Sequence, residues 1–133
     1  MSGVPGDDED YRLSFRIVSG CLEARVQGRI GSVEAIAGLF GRIGAELRRC
    51  GAGQALILDE TASVVPDAAE FEQMAALLAE GGFLGVRTAF VNVRGDAFER
   101  IEIGEIIARR HGHALRVFDS EPQARLWLRY VAD

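Results

Sequence analysis

Lysine is absent from this 133-residue chain, and all 15 basic side chains are arginine. That excludes lysine Schiff-base chemistry and the lysine of a phosphate-binding P-loop; the bias itself is what a GC-rich genome produces. Cysteine is scarce, with only Cys21 and Cys50. A chain of this length can bury a continuous core without a covalent staple, so two reduced thiols are expected rather than a disulfide. No apolar run approaches the roughly 18 residues of a membrane span, and no apolar leader is encoded, so a cytoplasmic setting is expected. Acids outnumber arginines, for a net charge of −5. With no arginine-rich stripe to offset that charge locally, a nucleic-acid partner is not expected.

What is present fits one globular domain. Hydrophobic residues make up 48% and charged residues 26%, a balance far from disordered composition. Residues 1–10, MSGVPGDDED, read as a flexible acidic tail, and 11–133 as the domain. Tyr11, Leu13, Phe15 and Ile17 alternate with Arg12, Ser14 and Arg16, and Leu22, Ala24 and Val26 with Glu23, Arg25 and Gln27. Period two on both sides of a short link describes an antiparallel hairpin. From Ser32 the apolar period lengthens to three and four through Leu47, a helix with one buried stripe. Gly38, Gly41 and Gly44 inside it are unfavourable for a helix, and close packing on the strands is expected to offset part of that cost. Further strand and helix patterns alternate to the end, giving ββαβαβαβα. Each βαβ crossover makes its strands parallel, so an α/β fold is expected, its mixed sheet mainly parallel with an antiparallel first strand at one edge.

The chain is organised around Gln54 to Phe71. Ala55 to Leu58 is a buried strand, and Asp59 and Glu60 mark its exit from the core at the edge where α/β proteins collect ligands. A turn carrying Thr61 and Ser63 then leads to Asp67 as helix N-cap, with Glu70 three residues on to complete a capping box. Asp59, Glu60, Thr61, Ser63, Asp67 and Glu70 are therefore the candidate interaction or ligand residues. Arg94 to Glu99 reads as a second Asp-x-x-Glu box, with Asp96 as cap. The helix after it carries Phe98, Ile101, Ile103, Ile106 and Ile107, more apolar residues than one stripe needs, and these are the candidate lining of an apolar groove. His111 and His113 lack the companions of a zinc site and read as a helix-end and a loop histidine. No complete catalytic set, cofactor motif or metal set is expected.

Several segments resemble the STAS-like, SpoIIAA-like family, the relatives of anti-sigma factor antagonists. They are a hairpin feeding a glycine-ended strand, VQGRIGSVEAIAGLF, a strand ending in aspartate, ALILD, and a last strand and helix, ALRVFDSEPQARLWL. The resemblance implies a STAS-like fold over about Leu13 to Leu128 and a non-catalytic regulatory or protein-interaction role. Its implied partner is another protein of a kinase-like or signalling kind. The family's Asp-Ser-Ser-Gly switch is replaced here by Asp67-Ala68-Ala69-Glu70, and a methyl group accepts no phosphoryl group. Thr61 and Ser63 are then the hydroxyls left in the turn for phosphorylation.

Two other roles stay open at this point. One is a small apolar or lipid-like ligand-binding protein, and the other a metal-dependent enzyme built on Asp59, Glu60 and Asp67. A homodimer is expected, with Arg16 or Arg25 of one copy meeting Glu23 of the other across the wet face of the hairpin.

Overall fold

The structure, a computed structural model, describes residues 9 to 130. The tail expected over 1–10 lies mostly outside them, but Glu9 and Asp10 belong to the first strand. The elements are β1 (Glu9–Val18), β2 (Cys21–Ile30), α1 (Val33–Cys50), β3 (Gln54–Ser63), α2 (Ala68–Glu80), β4 (Arg87–Asn92), α3 (Phe98–Arg110), β5 (Leu115–Phe118) and α4 (Glu121–Tyr130). This is the expected ββαβαβαβα order. The five strands lie side by side in chain order, with β1 antiparallel to β2 and the others parallel.

The hairpin closes through Ser19 and Gly20, whose φ angles of 53° and 78° give the two-residue turn whose twist matches the flanking strands. Ser32 caps α1, its hydroxyl accepting from Ala35 N–H at 3.1 Å. Asp67 and Glu70 close the capping box of α2 at 2.8 and 2.9 Å. The box expected at α3 does not form. Ala97 is the N-cap without a side-chain bond, and Asp96 instead pairs with Arg94. The Ala97 N–H is taken by Asn92 Oδ1 at 3.1 Å, because the tight Arg94-Gly95 turn brings the end of β4 under the helix.

Helices cover the sheet unequally. Leu22, Ala24, Val26, Ala55 and Ile57 face α1 and α2 in the larger core, while Leu56, Leu58, Ala89 and Val91 face α4 in the smaller one. β3 is thus apolar on both faces, which is why its sequence runs without alternation. Toward β1 the α4 face is polar, and it closes on itself. Glu23, 7% exposed, accepts from Arg16 at 2.9 Å and from Arg125 of α4 at 2.7 Å, and Arg125 also pairs with Glu121. Arg25 pairs with Glu60. Glu23 and Arg25, expected to meet partners across a dimer, are therefore paired within one chain, Glu23 because α4 places Arg125 over β2. The Arg125 bond first, then Arg16, holds Glu23 below the usual carboxylate range against the opposing cost of burial.

The α1 glycines do not share one role. A Cβ on Gly44 would lie 1.7 Å from Gly81 O, so that residue meets the turn after α2 and not the strands, while Gly38 and Gly41 face open space. Gly44→Ala should cost roughly 2 kcal/mol or more through overpacking, whereas Gly41→Ala should gain about 0.5–1 kcal/mol of helix propensity. Urea midpoints of the two variants check this; equal effects would contradict the close approach.

Candidate functional site

The expected turn after Leu58 is strand. β2 continues to Ile30 and pairs with β3 through Ser63, so the backbone of 59–63 is held in the ladder, 60–63 beyond the last residue of β4. Alternation then separates the carboxylates. Asp59, Thr61 and Ser63 turn toward α1 and α2, while Glu60 turns to the other face, where it bonds Arg25 and Gln27. Asp67 and Glu70 are spent on the capping box at the exposed start of α2. Asp59, Glu60 and Asp67 do not converge, and no group of three metal-ligating side chains occurs among the described residues.

A cavity of about 100 Å³ lies on the Asp59 side, at the carboxyl ends of β3 and β4. Its walls are Ile36 and Phe40 of α1, Phe71 and Met74 of α2, and Ile101 and Ala108 of α3. Gly104 makes the α2–α3 wall tight, since a Cβ there would lie 2.5 Å from the Phe71 ring. Of the expected groove residues only Ile101 lines the cavity. Ile107 is buried but does not line it, Phe98 is half-buried, and Ile103 and Ile106, 46% and 59% exposed, face outward. The run of isoleucines covers more than one helix face, so it could not all point to one groove.

Asp59 supplies the polar floor. It is 7% exposed, and its Oδ1 accepts from the Thr61 N–H at 2.9 Å and the Thr61 hydroxyl at 2.5 Å. No described hydrogen bond reaches Oδ2. Thr61, 2% exposed and committed to Asp59, is not presented to a kinase, and the Ser63 hydroxyl donates to Val64 O. Burial pushes the Asp59 carboxyl up, the bonds from Thr61 oppose that, and the neighbouring Asp96 adds to the rise. Asp96 and Glu105 are the other ionisable groups on the lining; Glu105 accepts from Val117 N–H at 2.7 Å and pairs with Arg109. No Arg or His lines the cavity among the described residues.

The remaining reactive side chains sit elsewhere. His113 is buried against the Ala75 carbonyl at 2.9 Å and leaves Nδ1 without a partner, and His111 meets Glu72 at 2.7 Å. Cys21, a free thiol under α4, is pushed up to about 11, chiefly by burial, which makes it a poor nucleophile. Sequence reasoning found Asp59 and Ile101 but missed Asn92, Phe71 and Glu105. The Asn92 signal was a polar residue ending an apolar strand, level with Asp59 of β3, whereas Phe71 and Glu105 looked like ordinary helix residues. Comparison with models of known protein families gives no match, and comparison with curated proteins gives none. No helix among the described residues is long and apolar enough to cross a membrane.

A raised Asp59 means that the folded state binds its proton more tightly than the unfolded chain. The stability this contributes is full below the ordinary aspartate value of about 4 and is lost as pH rises through the folded value. Asp59→Asn keeps the acceptor for Thr61 and removes the titration. Relative to the native chain, the variant should therefore become more stable as pH rises from about 4 to 7. Urea midpoints across that range test it, and a constant difference would contradict a buried, titrating Asp59.

Proposed function

We propose that this chain is a non-catalytic binding domain that takes up a small, mostly apolar molecule bearing a hydrogen-bond-donating, cationic end. The single observation behind this reading is a cavity walled by aliphatic and aromatic side chains, with an incompletely bonded carboxylate on its floor. An apolar pocket with one placed polar group is the ordinary form of a small-molecule site. Because every ionisable group on the lining is an acid, a carboxylate or phosphate ligand would be repelled while an ammonium would be attracted. The volume, below the roughly 150 Å³ of a cavity that holds benzene, suits a short branched chain or small ring. That favours a compact amine over a long lipid.

A regulatory role follows naturally from where the cavity lies. Val65, Pro66 and Phe71 line it and flank the exposed Asp67-Ala68-Ala69 turn, so filling the cavity alters the surface offered to a protein partner. The resemblance to SpoIIAA-like domains supports that reading, with ligand occupancy in place of the missing serine phosphorylation.

Three molecules of one shape test the ligand class: 3-methylbutylammonium, 3-methylbutanol and 3-methylbutanoate. In two-dimensional NMR the amine should shift resonances of Ile36, Phe71 and Ile101 with Kd in the millimolar range, about −4 kcal/mol. The alcohol should bind more weakly and the carboxylate not at all, and Asp59→Asn should abolish the preference. Equal response to amine and carboxylate would refute the charge reading, and no response to any would refute the site.

A further inference from the structure

We infer that the outer edge of β1 is a two-fold self-association surface, on which a second copy of this chain adds its own β1 antiparallel, with Leu13 on the axis. β1 is ten residues long and, among the described residues, pairs with β2 only. The two-residue turn makes Val18 and Cys21 the first hydrogen-bonded pair, so the residues bonded inward to β2 are Val18, Arg16, Ser14, Arg12 and Asp10, the last opposite Arg29. Leu13, Phe15 and Ile17 then turn their backbone N–H and C=O groups outward. Their side chains lie on the helix side of the sheet, yet α1 stops short of the edge and leaves Phe15 and Ile17 38% and 52% exposed. An edge of this length with apolar side chains is a template for another strand.

Charge selects the partner and the register. A two-fold axis normal to the sheet keeps the helix sides together, so it passes through a residue and sets neighbours at equal distance on either side of it opposite each other. Through Ser14, Arg12 would face Arg16 of the other copy twice, and through Arg12 that residue would face itself. Through Phe15, Arg12 and Arg16 would face Val18 and Ser14. Through Tyr11, Asp10 would face Arg12, but only residues 9–13 of the strand would overlap; the axis through Leu13 sets Asp10 opposite Arg16, twice by symmetry, with Phe15 opposite Tyr11 and Arg12 opposite Ser14, over residues 9–17. Asp10 is exposed and makes no ion pair within the chain among the described residues, while Arg16 is mostly exposed and keeps a bond to Glu23 from one nitrogen only. Arg12 and Arg16, which repel each other or themselves with the axis at Ser14 or Arg12, face serine and aspartate in this register. Two five-stranded sheets become one continuous sheet.

Light scattering over a concentration series at low salt tests the edge. The native chain should approach twice the chain mass. Asp10→Arg should raise the dimer dissociation constant about tenfold or more, and Asp10→Arg with Arg16→Asp should restore it. Arg12→Asp should leave it unchanged, because Arg12 faces only serine. Leu13→Cys should cross-link on oxidation where the native chain does not, since Cα atoms of a hydrogen-bonded antiparallel pair lie about 5.5 Å apart, within disulfide range. A monomer at every concentration overturns the inference. So does a dimer indifferent to Asp10→Arg whose Leu13→Cys form fails to cross-link, and a dimer strengthened by Arg12→Asp would place the axis at Ser14.

Discussion

The alternation of β3 is the constraint on which the rest depends. Both of its faces are apolar up to Leu58, which commits it to the middle of the sheet between α1 and α2 on one side and α4 on the other. β2 and its hairpin partner are long enough to carry the ladder five residues further, to Ser63. Over those residues the helix-side positions become Asp59, Thr61 and Ser63, while Glu60 is forced to the opposite face. One backbone period thus turns a row of acids and hydroxyls into two unrelated structures, a cavity floor and a surface salt bridge.

The two buried acids illustrate how environment decides what a carboxylate does. Glu23 is held by two arginines and is stabilised as the anion, so its contribution to the fold is present above the ordinary glutamate range and is lost as pH falls through its lowered value. Asp59 has only the neutral donors of Thr61, and burial wins over them, so its linkage to pH has the opposite sign. The first joins the hairpin to α4 and leaves nothing for a ligand. The second keeps an oxygen uncommitted beside an apolar hollow, an arrangement that costs the fold at neutral pH and that a cationic ligand would offset.

Most of the architecture was legible because period and capping are local. The strand alternation, the Ser32 and Asp67 caps and the parallel crossovers all follow from neighbours in the chain, and the structure has them. The errors fell where a distant element decided the outcome. Residues 59–63 look like a turn because their polarity reports solvent or a cavity equally well, and only the length of β2 says which. Asp96 had the spacing of a cap but lost the helix end to Asn92, which the β4 turn brings closer. Gly44 gave no sign that it faces Gly81, and Glu23 gave none that Arg125 reaches it from 102 residues away. The expected groove on α3 failed for a similar reason, since a count of isoleucines carries no direction until helix packing chooses a face.

That the Asp59 carboxylate is the polar recognition element of the cavity is what the proposed function rests on. It is tested most directly by an NMR pH titration of the Asp59 side-chain carbon, run with and without 3-methylbutylamine. The free protein should show a value above that of an ordinary aspartate, and the value should fall when the ammonium binds, because a bound cation favours the ionised form. A value that starts in the ordinary range, or that does not move when the amine is added, would contradict it.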